Sequence, residues 1–358
     1  MERNYALFLR SNANDVPLPM YLSRRNVMQK RTLGRQGLEV SATGLGCMGM
    51  SFAYGSADDV ESMKVLHRSL DLGINFWDTA EMYGPFKNEE LLGRALKGKK
   101  REEVIIATKF AWRFGEKGEI LGLDSSPAHI KRTINGSLTR LGTDYIDLYY
   151  QHRLDPNIPI EDTVGAMADL VREGKVRYIG LSEVGPATIR RAHAEHPISA
   201  VQSEYSLWER GVEDEVLPTL RELGIGFVAY SPLGRGFLTG RIKSMEDLES
   251  SDWRRNNPRF QAENFQHNMA LVATVKEIAV ANKATPGQIA LAWLLRQGLD
   301  IVPIPGTKHV NYLEENARAL DLQLPPSVWT ELDSTLASFT VAGMRYPEAA
   351  MRFIDTSR

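Results

Sequence analysis

From residue 44 onward the chain repeats one pattern: a short apolar run rich in β-branched or aromatic residues, then a longer stretch of helical spacing. Eight such runs occur, at residues 44–48, 75–79, 104–110, 145–152, 176–182, 200–205, 226–231 and 301–305. They are continuously apolar rather than alternating, as strands covered on both faces require. Helical stretches fall at 59–72, 89–96, 127–141, 160–173, 187–194 and 214–223. In the first of these Val60, Met63, Leu66, Leu70 and Leu72 recur near the helical period. Glycine stands at the end of several helices, as Gly73, Gly142, Gly174 and Gly224. Strand and helix in alternation imply a parallel sheet, and eight units close an α/β (β/α)8 TIM barrel. Residues 31–33 and 38–40 around Gly34-Arg35-Gln36-Gly37 predict an N-terminal β-hairpin closing the barrel bottom. Residues 236–266, polar and too long for a connector, predict a lid or binding loop after the seventh strand. The chain after Pro325 predicts a helix and then a loop across the barrel mouth. Residues 1–28 read as a flexible N-terminal extension, and 29–358 as a single domain.

Charge and cysteine content narrow the function. Lys and Arg total 43 against 45 Asp and Glu, a net charge of −2, which lacks the basic footprint of a nucleic-acid binder. The lone Cys47 excludes an intramolecular disulfide and any multi-cysteine metal site, and fits the reducing cytoplasm. No apolar run approaches the ~20 residues that span a bilayer. His193 and His196 have no third ligand spaced with them, so no metal site is expected.

Two motifs mimic nucleotide enzymes without their context. GLGCMG at residues 44–49 matches G-x-G-x-x-G, but no helix begins at its last glycine and no acidic residue follows at the ribose-binding spacing. A glycine-rich barrel strand passing close to a ligand is the better reading. Tyr83 and Lys87 imitate a Tyr-x-x-x-Lys pair, yet Gly84-Pro85 prevents the helix that would put them on one face. The informative residues stand where barrel enzymes keep their chemistry, at the C-terminal ends of strands. These are Asp78 with Tyr83 shortly after it, Lys109, and His152. An ammonium at Lys109 would favour the phenolate and lower the Tyr83 pKa, with Asp78 as counter-charge. His152 would orient a carbonyl, and Tyr83 would deliver its proton.

The sequence resembles the aldo-keto reductases from Gln29 to about Ala349. The resemblance rests on NFWDTA at 75–80 with Tyr83-Gly84, TKF at 108–110, DYIDL at 144–148, QHR at 151–153 and GKVRYIGLS at 174–182. It continues with QSEYS at 202–206, YSPLGRG at 230–236, IPGTK at 304–308 and LEEN at 313–316. The wording is most similar to long-loop, perakine-reductase-like members. The resemblance implies a catalytic tetrad of Asp78, Tyr83, Lys109 and His152, and reduction of an aldehyde or ketone with NADPH. It implies that Ser182 and Gln202 hold the nicotinamide carboxamide and that Tyr230 stacks on the ring. Where the family has Asn after the serine, this chain has Glu183. Met48, Asp78 and the segment with Ser231, Pro232, Leu233, Gly234, Gly236, Leu238 and Arg241 would line the cofactor. Gly306, Thr307, Lys308, Tyr312, Glu315 and Asn316 would surround the adenosine and its 2′-phosphate, with Tyr312 where some relatives have arginine. Arg235, Arg241 and Arg259 are the cations that could compensate. Tyr54, Trp112 and Trp208 follow strands one, three and six and are candidates for an aromatic substrate wall.

A second class of function is a nicotinamide-binding regulatory or sensor subunit, similar to the potassium-channel β-subunits of the same fold. Turnover of simple aldehydes separates the two. A metal-dependent barrel hydrolase lacks a cluster with ligand spacing. The expected partner is a small carbonyl substrate, with no nucleic acid and no membrane, and a homo-oligomer is left open.

Overall fold

The computed structural model describes residues 28–357. The extension expected over 1–28 lies, Met28 aside, outside the described residues. The strands are β1 (Lys30–Leu33), β2 (Leu38–Ser41), β3 (Leu45–Gly46), β4 (Phe76–Asp78), β5 (Ile105–Phe110), β6 (Trp112–Phe114), β7 (Ile120–Leu123), β8 (Ile146–Gln151), β9 (Val176–Ser182), β10 (Ala200–Glu204), β11 (Gly226–Tyr230) and β12 (Ile301–Pro303). The helices are α1 (Asp59–Asp71), α2 (Lys87–Leu96), α3 (Pro127–Leu141), α4 (Ile160–Arg172), α5 (Pro186–Glu195), α6 (Val216–Leu223), α7 (Ala262–Ala281), α8 (Pro286–Arg296), α9 (Val310–Ala317), α10 (Pro326–Ser338) and α11 (Glu348–Met351). Local signals set their ends. Asp58 caps α1 by accepting from the Val60 and Glu61 N–H groups, Thr285 and Gln288 form a capping box on α8, and left-handed Gly142 stops α3.

Eight strands pair in the order β12-β11-β10-β9-β8-β5-β4-β3, every pair parallel. A parallel bridge from Gly46 to Gly306 joins the two ends, so the curled sheet closes as a TIM barrel. The first strand is shorter than the expected 44–48 and the last shorter than 301–305. At the seam the two strands meet backbone against backbone. A Cβ on Gly46 would lie 2.8 Å from the Ile304 carbonyl oxygen, and one on Gly44 would lie 2.7 Å from the Phe76 ring. Pro303 and Pro305, lacking N–H groups, cannot extend the ladder. The first two glycines of the segment that mimics a dinucleotide fingerprint are thus spacing for barrel closure.

Inside the barrel Phe76, Ala107, Leu148, Tyr150, Ala200, Val228, Val302 and Ile304 pack with Leu33, Leu38 and Val40 of the β1–β2 hairpin. That hairpin plugs the bottom as the sequence predicts, and Arg31 ties it to the Gly298 and Leu295 carbonyls. The larger apolar cluster lies between strands and helices. Strand parity fixes what happens above the plug. Side chains alternate along a strand, so inward Phe76, Ala107, Tyr150 and Ala200 place Asp78, Lys109, His152 and Gln202 inward one layer higher.

Two features at the mouth exceed the sequence reading. The β5–α3 connection forms an antiparallel hairpin, β6–β7, irregular at Arg113/Phe114. Beyond β11 the long segment is a chain of 3-10 turns at Gly234–Thr239, Met245–Asp247, Trp253–Asn256 and Pro258–Phe260. Among the described residues no helix is long and apolar enough to cross a membrane.

Candidate active site

Lys109 is the hub. Its ammonium donates to Asp78 Oδ1 at 2.6 Å, to the Thr79 carbonyl at 2.7 Å and to the Tyr83 hydroxyl at 3.2 Å. Asp78 accepts a further bond at Oδ2 from Gln202 Nε2, 2.7 Å away. The His152 ring stands edge-on to Tyr83 with centroids 5.9 Å apart, and its backbone N–H is fixed to the Phe110 carbonyl. All four side chains are buried, and His152 Nδ1 has no protein partner among the described residues. Tyr83 reaches the hub because the chain turns at left-handed Gly84 and Phe86 before α2 begins at Lys87. It therefore stands outside the helix, as Gly84-Pro85 foretells.

The electrostatics differ from the sequence expectation at one point. Burial raises the Tyr83 pKa, and Lys109, although it opposes that shift, does not overturn it. The resting hydroxyl is a neutral phenol held against an ammonium, the state required of a proton donor. Burial works against the Lys109 charge, but Asp78 and Tyr83 outweigh it and raise its pKa. Burial, helped by Arg153 and Lys109, holds the His152 imidazole well below its usual pKa, so it is neutral at neutral pH.

Around this hub the cofactor candidates fall into three groups. Ser182 and Gln202 face each other in register across β9 and β10. The loop after β11 carries positive φ at Ser231, Gly234, Arg235 and Gly236, with Pro232, Leu233 and Leu238 buried along it. Half-buried Met48 opens the turn after β3. Arg241, Tyr312 and Glu315 meet: the guanidinium lies 3.9 Å from the Tyr312 ring centroid and 2.6 Å from Glu315 Oε2. Asn316 is buried beside them on α9, whereas Gly306 is exposed and Thr307 bonds to His309. Lys308 donates to the carbonyls of Tyr54 and Ser56 at 2.7 and 2.6 Å, tying down the loop after β3.

The aromatic candidates part company. Trp112 stands 6.4 Å from the His152 ring and 5.1 Å from Phe353, at the mouth. Tyr54 is wedged with Arg254, 4.7 Å from its ring, and its phenol, bonded to Ser231, is pushed up to about 12 by burial. Trp208 stacks on Phe237 at 4.9 Å, and a Cβ on Gly234 would lie 2.7 Å from it. The structure therefore makes Trp208 the floor of the Gly234–Thr239 turn and does not bring it to Trp112.

After α10 the C-terminal chain straps across the mouth, as the sequence predicts, and what spacing did not reveal is how the strap is anchored. Arg345 donates to both oxygens of Glu183, at 3.1 and 2.8 Å. The Tyr230 hydroxyl donates to Glu183 Oε1 at 2.7 Å and lies 2.9 Å from that of Tyr346. Asn257 and Arg259 hold the strap carbonyls of Arg345 and Gly343, and the Asp355 N–H bonds to the Glu183 carbonyl. Glu183, left-handed and 3% exposed, is thus a buried anchor for the strap. Its departure from asparagine was visible in the sequence, but its partner 162 residues away was not.

A closed parallel barrel whose strand ends join a phenol, an ammonium, a carboxylate and an imidazole defines an oxidoreductase class, and the chain belongs to the aldo/keto reductase family, which it matches over residues 42–337. Solved structures agree. The fold is similar to a glycerol dehydrogenase from Gluconobacter oxydans at 28% identity, covering 88% of this chain and 97% of that one with a TM-score of 0.79. It is similar to an aldo-keto reductase from Bacillus halodurans at 29% identity, 88% and 98% coverage and a TM-score of 0.72. A thermostable aldo-keto reductase solved with the inhibitor epalrestat shares 32% identity, with 86% and 99% coverage and a TM-score of 0.69. Among the described residues no group of three or more His, Cys, Asp or Glu could hold a metal ion.

Proposed function

We propose that the protein is a cytoplasmic, perakine-reductase-like enzyme that uses NADPH to reduce an aldehyde or ketone reversibly to the alcohol. The observation that carries this reading is the Lys109 ammonium joining the Asp78 carboxylate to the Tyr83 hydroxyl beside a neutral His152. The donor set fits the cofactor in kind. Positive φ at Ser231, Gly234, Arg235 and Gly236 bends that loop as an anion nest does, and Arg241, Arg254 and Lys308 bring cations around it. Ser182 and Gln202 would hold the carboxamide, with Tyr230 against the ring. Reduced nicotinamide, when bound, supplies the hydride that forms the new C–H bond.

The chain's own groups then account for the proton. His152 and Tyr83 hold the substrate oxygen, and the phenolic O–H bond breaks as the alcohol O–H forms. Lys109 stabilises the resulting phenolate until solvent returns the proton, so carbonyl, hydride and one proton give the alcohol. Asp78 keeps Lys109 charged and in place. Trp112 and the strap exclude water.

The test is NADPH consumption with an activated aromatic aldehyde at neutral pH. Wild type consumes NADPH, and Tyr83→Phe falls by about 100-fold or more, the scale of a lost general acid, while still binding NADPH. Wild-type turnover by Tyr83→Phe overturns the assignment. Binding without turnover in wild type transfers the case to a regulatory subunit.

A further inference from the structure

Most of the cations around the hub are ion-paired among the described residues. Lys109 has Asp78, Arg235 has Glu204, Arg254 has Asp252, Arg259 has Glu209 and Arg345 has Glu183. Arg153 stands immediately after His152 and is half-buried, yet among the described residues its guanidinium makes no ion pair. Its bonds run to neutral acceptors, the His152 carbonyl at 2.6 Å and Ser182 Oγ at 3.3 Å. Glu183 acts on it electrostatically, but the Glu183 oxygens are already taken by Arg345, Tyr230 and the Glu204 N–H. The neighbours of Arg153 hold its guanidinium charged despite burial, and with no carboxylate in hydrogen-bond contact among the described residues it keeps the capacity to bind one. It offers five donors in a planar fork suited to a carboxylate.

We propose that Arg153 is a specificity-determining residue that binds an anionic group on the substrate, so that the preferred substrates are aldehydes or ketones bearing a carboxylate. This rests on the carbonyl-reductase reading above and adds the substrate class. Arg153 is close enough to Tyr83 to favour its phenolate electrostatically. Arg153 follows His152 directly and bonds to its carbonyl and to Ser182 Oγ, which puts the guanidinium beside the substituents of a carbonyl held between Tyr83 and His152. The phosphates of the dinucleotide are a different matter, because Arg153 neighbours Ser182 rather than the loop 231–240. The strap closes over the same side through Tyr346 and Arg345, which leaves a bound carboxylate little access to solvent.

The test compares 4-carboxybenzaldehyde with its methyl ester, methyl 4-formylbenzoate, as substrates for wild type, Arg153→Met and Arg153→Lys. In wild type the acid has the higher kcat/KM. In Arg153→Met the acid-to-ester ratio of kcat/KM falls about 10- to 100-fold, chiefly through KM, the scale of a charge-assisted hydrogen bond. Arg153→Lys recovers part of the ratio. A purely structural role would lower both substrates by the same factor, and that result, or no preference in wild type, overturns the proposal. Binding of 4-(hydroxymethyl)benzoate to the NADP-loaded protein, measured by calorimetry, gives a readout independent of turnover. Binding that depends on Arg153 without reduction of either aldehyde sinks the reductase reading and keeps the anion site. Reduction of both aldehydes with Arg153-independent binding does the reverse.

Discussion

Replacing Arg345 by Met tests the anchor of the strap. The substitution keeps much of the aliphatic stem but removes both guanidinium bonds to Glu183. The carboxylate it abandons is 3% exposed and retains the Tyr230 hydroxyl at 2.7 Å and the Glu204 N–H at 3.0 Å. Breaking a buried pair from one side costs about 3–5 kcal/mol, and the two surviving donors set the lower end, about 3 kcal/mol. At the entropy of unfolding expected for a domain of this size, that is a fall in Tm of about 4 °C. The loss also acquires a pH signature. In wild type, burial pushes Glu183 upward, but Arg345 and Arg153 more than offset it and hold the carboxyl below its ordinary value. Such a group stabilises the fold above the unfolded carboxyl pKa, and the contribution disappears as pH falls through the folded value. Without Arg345 burial prevails and the folded pKa rises. The sign then reverses: the variant is relatively stable below the unfolded value and loses stability as pH climbs through the folded one. Urea unfolding of both proteins at about pH 5 and pH 8 therefore gives the larger difference at pH 8, and adding Glu183→Gln recovers at least ~1 kcal/mol there. An unchanged midpoint at pH 8, or an equal loss at both pH values, refutes the reasoning.

Two further outcomes follow from the hub and the seam. With Tyr83 raised by burial and His152 held well below its usual value by burial and its cationic neighbours, neither titrates between about pH 6.5 and 8.5. The kcat/KM for carbonyl reduction is flat across that window, and an inflection there contradicts the assigned charge states. Gly46→Ala pushes a Cβ to 2.8 Å from the Ile304 carbonyl oxygen, where backbone must move. A loss of about 1–3 kcal/mol in denaturant unfolding is expected, as for overpacking; an unchanged midpoint means the seam yields freely.

Strand parity explains why so much of the site was legible. Eight apolar runs fix the barrel, and once a strand's inward residues are known the next inward position at its C-terminal end follows. Asp78, Lys109, His152 and Gln202 are each such positions. Tyr83 was readable because Gly84-Pro85 removes it from any helix. The direction of its pKa was not, because a motif shows the ammonium beside it but not the burial that outweighs it. The β6–β7 hairpin escaped because Glu116-Lys117-Gly118 interrupts a run too short to announce a strand pair. Trp208 looked like a wall residue by its place after a strand, while its role as floor depends on Gly234 coming down onto it. Glu183 and Arg345 illustrate the general limit. Either one alone is an ordinary charged residue, and only the fold makes them a pair.

The strap has an optical consequence. Two of the six tryptophans touch it, Trp112 through Phe353 at 5.1 Å and Trp253 through Tyr346 at 5.8 Å. Trp77 and Trp293, by contrast, are fully buried in the body of the barrel. Lifting the strap would hydrate the first pair and leave the second dry, so the emission of the untreated protein separates into a part that follows the mouth and a part that follows the fold. Quenching by a small neutral solute such as acrylamide, read in wild type against Trp112→Phe and Trp253→Phe, makes this protein a fluorimeter of its own opening, with no label attached.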